Sequence, residues 1–228
     1  MMRIVLFGYS KTGREIAKLL VGAEYDLQII DENPLQVAKA NEDGFFARHS
    51  EFRDDSMLED VGIGRDVEVL FCTSTNDSLN LFITLSARSM DKKLKILTLI
   101  YKKEDEKKML LAGANRTISP YNVGALKAFR IIDKPKVSEV LNLFTLQSNK
   151  LSMNEIEIPK GSILDGAYFN DLTIFREYNL IFLGILDREL GDKFIFYAEG
   201  INHKIDENDV LIILGSKSNI KKFKKAIA

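Results

Sequence analysis

Residues 8–13 read Gly-Tyr-Ser-Lys-Thr-Gly, after a β-rich run from Ile4 to Phe7 and before a helical stretch from Arg14 to Val21. A glycine-bracketed turn between a strand and a helix points a helix N-terminus, with its free amides, at whatever sits above it. In a dinucleotide-binding turn the first glycine bends the chain, the second admits a pyrophosphate, and the third lets helix and strand pack. Gly8 and Gly13 hold the first and third of these places, and Ser10 holds the second. Ser10 and Thr12 offer hydroxyls to an anion, and Lys11 offers charge. Asp31, 18 residues past Gly13, ends the second apolar run. That is close to the spacing of about 20 for a carboxylate that accepts ribose hydroxyls. The Ser10 Cβ stands where backbone would meet a pyrophosphate, which favours a mononucleotide or a displaced dinucleotide. The plainer alternative is that Gly8 and Gly13 form a tight turn and Asp31 closes a strand.

Thr73 and Ser74 follow a fourth strand, at the sheet edge where such folds bind ligands. They can equally serve as caps for the helix that begins near Asn76. No acid, base or nucleophile with a partner is visible. His49 and His203 fall in different lobes, and there is no Gly-x-Ser-x-Gly turn, so no catalytic residue is expected. One cysteine and two histidines leave no Cys/His metal site. Cys72, inside the run Val-Leu-Phe-Cys, reads as a small buried hydrophobe.

The elements that must hold these residues alternate. Strands are expected at Leu27–Ile30, Phe45–Ala47, Val67–Thr73, Leu94–Ile100 and Arg116–Ser119, and helices at Leu35–Asn41, Ser56–Val61, Asn76–Met90 and Glu104–Leu111. This is the pattern of an α/β domain: a Rossmann-like parallel sheet with helices on both faces. It spans residues 1–120. Residues 121–150 follow as a helical crossover, with helices at 121–132 and 136–147 broken near Asp133-Lys-Pro135. Leu126, Phe129, Ile132, Val137, Val140, Leu141 and Phe144 give it an apolar surface, suited either to packing on the first domain or to pairing two subunits. Residues 151–228 then form a small α+β C-terminal lobe. It has strands at Glu155–Ile158, Leu180–Leu186, Phe194–Tyr197 and Val210–Leu214, and helices at Asn170–Tyr178 and Asn219–Ile227.

Composition narrows the function. With 32 Lys and Arg against 33 Asp and Glu the net charge is −1, so nothing in the bulk electrostatics draws nucleic acid or an anionic membrane. At 46% hydrophobic and 29% charged the chain can bury a core and stay in water. No apolar run approaches the roughly 18–20 residues of a membrane span. The opening Met-Met-Arg-Ile-Val-Leu-Phe-Gly enters a strand at once, unlike a signal peptide. The lysines of 221–225 read as the solvated face of the last helix.

Three segments carry a family resemblance: Ile-Val-Leu-Phe-Gly-Tyr-Ser-Lys-Thr-Gly at 4–13, Ile-Ile-Asp-Glu-Asn at 29–33, and Leu-Leu-Ala-Gly-Ala-Asn-Arg-Thr-Ile-Ser-Pro-Tyr at 110–121. With Ile-Pro-Lys-Gly-Ser-Ile-Leu-Asp-Gly at 158–166 and Asp-Val-Leu-Ile-Ile-Leu-Gly at 209–215, they make the chain resemble the RCK/KTN family, a TrkA-N-like lobe followed by a TrkA-C-like lobe. The resemblance implies a non-enzymatic sensor of an adenine nucleotide, NAD(H) or ATP, ADP or AMP. It implies a homodimer, and from it an octameric ring, serving a potassium channel pore or transporter subunit. The module would be cytoplasmic, peripheral to or tethered beneath the inner membrane. Gly8, Lys11 and Asp31 match the family's nucleotide positions, and Ser10, Thr12, Gly13, Glu32, Asn33, Ser50, Thr73 and Ser74 complete the expected site. Two departures stand out. His49-Ser50-Glu51 replaces the usual Gly-Asp-Ala, and Leu99 and Tyr101 stand where calcium-gated members carry acids. A small NAD(P)-dependent oxidoreductase, or an assembly domain with a vestigial pocket, are the alternatives.

Overall fold

A computed structural model describes residues 1–21, 25–51, 55–142, 151–191 and 193–227. Among these the chain separates into two compact units, Met1–Phe129 and Arg130–Ala228.

The first unit alternates strands and helices. β1 (Arg3–Phe7), β2 (Asp26–Asp31), β3 (Phe46–His49), β4 (Val69–Cys72), β5 (Lys95–Leu99) and β6 (Arg116–Ile118) are joined through α1 (Lys11–Val21), α2 (Pro34–Glu42), α3 (Ser56–Asp60), α4 (Asp77–Met90) and α5 (Asp105–Leu111). All six strands run parallel in the order β3-β2-β1-β4-β5-β6. This is the Rossmann order, with its switch point between β1 and β4, where ligands of such sheets bind. The apolar strands are buried on both faces because successive side chains point to opposite sides. Val5 and Phe7 of β1 join Met57 and Leu58 of α3 and Ile83 and Ala87 of α4. Leu6 joins Ile29, Ala17 of α1 and Ala40 of α2 on the other face.

Local chemistry sets the element ends. Pro34 opens α2 behind the Asn33 cap, whose side chain accepts the Leu35 N–H at 2.9 Å. Asn76 caps α4 by accepting from Ser78 and Leu79. The expected start of α1 at Arg14 moves back to Lys11. Ser10 acts as its cap, its hydroxyl oxygen accepting the Gly13 N–H at 3.1 Å and its carbonyl the Arg14 N–H at 2.8 Å. Half of the glycine segment is therefore already helix.

The Ala-Gly-Ala-Asn segment is explained by Arg88, near the end of α4. Its guanidinium donates to the carbonyls of Gly113, Asp91, Lys92 and Leu94 and to Asn115 Oδ1, at 2.7–2.9 Å. Asn115 Oδ1 also accepts the Ile96 N–H at 2.8 Å. One side chain thus ties the end of α4 to β5 and to the turn before β6.

Two helices follow, α6 (Pro120–Asp133) and α7 (Pro135–Asn142). Lys134 separates them, since Pro135 restricts the residue before it and suits a first helical turn. α6 buries none of its residues, and Val123, Phe129 and Ile132 are exposed. Phe144, and the remainder of the crossover expected over 143–150, lie outside the described residues.

The second unit holds β7 (Ser152–Glu157), a one-turn α8 (Ile174–Glu177), β8 (Ile181–Asp187), β9 (Lys193–Phe196), β10 (Val210–Gly215) and α9 (Lys217–Ala226). The four strands form a β7-β10-β8-β9 sheet in which every pairing is antiparallel. The single helix expected over Asn170–Tyr178 is instead a 3₁₀ turn at Phe169–Asp171 and then α8. Leu172, at φ −79° and ψ 80°, leaves helical geometry between them. Burial explains the interruption: Phe169 and Phe175 both enter the core, Phe175 stacking on Phe182 with 4.7 Å between ring centroids. α9 buries Ile220 and Phe223 and exposes Lys221, Lys222, Lys224 and Lys225.

Candidate functional site

The site begins at the turn after β1. Gly8 has φ +89°, and a Cβ built there would meet the Ser74 nitrogen at 2.4 Å. Only glycine lets this turn approach the loop after β4 so closely. Thr73 fastens the two loops from below: its hydroxyl reaches the carbonyl oxygens of Phe7 and Gly8 at 2.9 and 2.5 Å, and its own N–H donates to Phe7 at 2.6 Å. Gly13 completes the packing, since a Cβ there would meet the Gly8 oxygen at 2.4 Å and the Thr73 hydroxyl at 2.7 Å. Gly13 and Thr73 thus lie beneath the loop that would touch a ligand.

Asp31 ends β2 with 7% of its surface exposed. Its Oδ2 accepts the Tyr9 N–H at 2.6 Å and its Oδ1 the Asn33 N–H at 2.8 Å. A buried carboxylate needs such donors. Each oxygen keeps a further lone pair for a ligand hydroxyl. The Asp31 carbonyl accepts the Ser50 N–H at 3.2 Å, which sets the loop after β3 beside it. His49 Nε2 donates to the Glu32 carbonyl at 3.0 Å.

Tyr9 turns its ring under the loop, edge-on to Phe45 at 5.9 Å, and donates its phenol to Asp43 at 2.6 Å. Arg14 grips the same carboxylate with Nη2 and Nε, each at 2.7 Å. The Arg14 guanidinium and the Tyr9 hydrogen bond hold the Asp43 carboxyl below the usual range. Burial, and then Asp43, push the Tyr9 phenol well above its ordinary value. This clamp ties α1 to the turn between α2 and β3.

The opposite wall comes from β4 and β5. Asn80, fully buried, accepts the Ser74 N–H at 3.1 Å and donates to the Ser74 carbonyl at 2.9 Å, so it fixes that loop. Tyr101, after β5, lines the cavity with Ser10 and Thr12, and burial raises the pKa of its phenol. Its ring meets that of Tyr121, in the first turn of α6, at 5.7 Å and 61°. Burial lifts the Asp77 carboxyl, at the start of α4, above the usual carboxylate range.

These loops enclose a cavity of about 870 Å³ at the carboxyl edge of the sheet, wholly within the first unit. Eight of the residues singled out from sequence line it: Gly8, Ser10, Lys11, Thr12, Asp31, Glu32, Asn33 and Ser74. Gly13, Thr73 and Ser50 stand outside the lining. Arg14, Gln36, Lys39, Tyr101 and Tyr121 line it as well and were missed from sequence. Asn80 was missed too, although a polar residue on the buried face of α4, beside Ile83 and Ala87, is a readable signal. Arg14 and Lys39 carry no such mark, because a charge on a surface helix is ordinary. Among the described residues no group of three or more His, Cys, Asp or Glu is placed to hold a metal ion, and no helix is long and apolar enough to cross a membrane.

Residues 4–120 match the TrkA-N domain and residues 153–228 the TrkA-C domain. Potassium channel protein 1 of Methanocaldococcus jannaschii is 24% identical over 98% of the chain, which spans 66% of that protein, just under two thirds. The Ktr system potassium uptake protein C of Bacillus subtilis is 26% identical over 97% of the chain and 96% of its own length. Among solved structures, the GsuK channel bound to NAD superposes on all of the chain and 38% of its own, with a TM-score of 0.52. At 17% identity that likeness is one of fold.

Proposed function

The chain is an RCK/KTN regulatory domain, a member of the TrkA-N and TrkA-C families, and from that premise we propose that it senses an adenine nucleotide and thereby regulates potassium flux through a membrane channel or transporter. The observation that carries this reading is the cavity in which the glycine turn, the start of α1 and Asp31 converge. The donors there suit a nucleotide. Asp31 would accept ribose hydroxyls through its remaining lone pairs, while Lys11 and the first turn of α1 would face phosphate. Glu32, Asn33 and Ser74 would line the sugar and base, with Ser50 beside them and Gly13 and Thr73 holding the loops from below. Whether the ligand is NAD(H) or ATP, ADP or AMP depends on how far Ser10 narrows the phosphate end. Among the described residues that line the cavity no pair is arranged as nucleophile and base, and the reading is of a sensor, not an enzyme.

In this scheme residues 1–120 bind the nucleotide, 121–150 form the crossover and 151–228 a separate lobe. The bare apolar face of α6 supports a homodimer, and an octameric ring of such dimers would place the domain in the cytoplasm against a membrane pore or transporter subunit. The names of the channel and uptake relatives support that partner. The nucleotide shifts the equilibrium between two dimer shapes only by its differential affinity for them, commonly about 1–3 kcal/mol.

Calorimetry of the whole chain with ATP, ADP, AMP, NAD⁺ and NADH tests the sensor, and sedimentation tests the dimer. Binding of at least one of these in the micromolar range is expected. Binding of none, with a dimer still present, leaves an assembly domain with a vestigial pocket. Turnover of NAD(P)H with a carbonyl compound would establish the oxidoreductase instead.

A further inference from the structure

Arg14 and Lys39 both line the cavity, from helices that share one face of the sheet, where Ala17 of α1 and Ala40 of α2 pack with Leu6 and Ile29. Arg14 is held in place. Asp43, the residue that ends α2, meets its Nε and Nη2 at 2.7 Å each, and the Tyr9 phenol donates to the same carboxylate at 2.6 Å. A side-on fork of this kind leaves the outer hydrogens of Nη1 and Nη2 for a second anion. Lys39 lies four residues before Asp43, whose N–H donates to the Lys39 carbonyl at 3.0 Å, so the two side chains share one face of α2. Lys39 is exposed and pairs with no acid among the described residues. One fixed cation and one free one thus flank the groove between α1 and α2.

The groove is joined to Asp31 by two sets of bonds. Tyr9 links Asp31 to Asp43 through its N–H and its phenol, and Asn33, the cap of α2, donates its N–H to Asp31 Oδ1 at 2.8 Å. In the nucleotide reading Lys11, at the start of α1, serves the 5′ phosphate, which leaves Arg14, one turn further along, and Lys39 for another anion. Glu15, an acid of the same lining, is already paired with Lys18 at 2.8 Å. We propose that the α1–α2 groove is a second anion subsite, for a phosphate esterified to the 2′ or 3′ hydroxyl of a ribose whose other hydroxyl rests on Asp31. This rests on the nucleotide-binding reading and narrows its ligand to nucleotides phosphorylated on both sides of the ribose. Glu32, exposed beside Asp31, opposes that phosphate and limits the gain.

Calorimetry of the full chain with two ligand pairs tests this. NAD⁺ and NADP⁺ differ by a 2′ phosphate, and AMP and adenosine 3′,5′-bisphosphate by a 3′ phosphate. In one pair the phosphorylated member should bind about three- to thirtyfold more tightly, the value of a hydrogen bond to a charged group less the repulsion of Glu32, and that pair assigns the position. Lys39→Met should cut the ratio about two- to fivefold, the value of an exposed charge pair. Arg14→Gln should cut it as well, with circular dichroism to check the fold because this variant also opens the clamp. Lys39→Met, at an exposed position, tests the subsite without that complication. High salt should narrow the ratio in wild type. Equal affinities within both pairs overturn the subsite, as does a preference that both variants leave intact. Wild type that binds none of the four overturns the nucleotide reading and the subsite together, a result distinct from binding without preference.

Discussion

The Oδ2 of Asp31 accepts the backbone N–H of Tyr9 at 2.6 Å, a buried hydrogen bond between the end of β2 and the turn after β1. The same turn is pinned on its far side by the Tyr9 phenol, which donates to Asp43. The acidic residue that reads as a ribose acceptor in sequence is therefore also the anchor of the turn after β1. In the proposed site, ligand recognition and loop shape would share this carboxylate, and a variant of Asp31 would alter both.

Asp31→Ala should for that reason destabilise the protein with no nucleotide present. It strands the buried Tyr9 N–H, at a cost of about 1–3 kcal/mol. Denaturant unfolding of the ligand-free protein reads this directly. A variant as stable as wild type would leave Asp31 without a structural role, and its effect on nucleotide affinity could then be taken at face value.

The Arg14–Asp43–Tyr9 clamp predicts a pH effect with a definite sign. Arg14 foremost, then Tyr9, holds the Asp43 carboxyl below its ordinary value of 3.8. Above that value the folded and unfolded states are both ionised, and the clamp contributes in full. As pH falls below about 4, the unfolded state takes up a proton before the folded state does, and stability drops. The stability difference between wild type and Asp43→Asn should therefore be constant from pH 5 to 7 and shrink below pH 4. A difference independent of pH down to 2.5 would exclude the ion pair as its source.

Arg88→Lys tests the five-fold anchor at the end of α4. A lysine is a single point of charge with three donors and cannot reach four carbonyls and Asn115 at once. The substitution should cost about 2–3 kcal/mol, in the range of a broken hydrogen-bond network. Thermal melting that shifts by less than 1 °C would show that the network is dispensable.

Cys72 is buried, and burial pushes its thiol up to about 12. At pH 8 the folded protein should resist iodoacetamide and become labelled only in denaturant, since the thiolate is the reactive form. Mass spectrometry before and after unfolding checks this. Fast labelling of the native protein would place the thiol within reach of solvent.

Much of the architecture is legible because it is local. Apolar runs of four to six residues bounded by Gly8, Asp31, Thr73 and Pro120 specify strands, and the caps at Asn33 and Asn76 specify where helices begin. Two elements depart from the expected bounds, one through a local cap and one through burial in the core. α1 starts early because Ser10 caps it, and the segment Asn170–Tyr178 splits because Phe169 and Phe175 both turn into the core.

By itself the sequence determined the order of strands and helices and the two-lobed plan, and it pointed to Gly8, Lys11 and Asp31 as a candidate ligand edge, since each is read from residue type, short spacing or the family resemblance. Only the tertiary structure decided what completes that edge. Tyr9 meets Asp43 34 residues away, Asn80 shapes the Ser74 loop 6 residues away, and Arg14 and Tyr101 line the cavity from separate elements. Periodicity reports which face of an element is apolar. It carries nothing about which loops the parallel sheet, by stacking β1 between β2 and β4, brings within hydrogen-bonding distance.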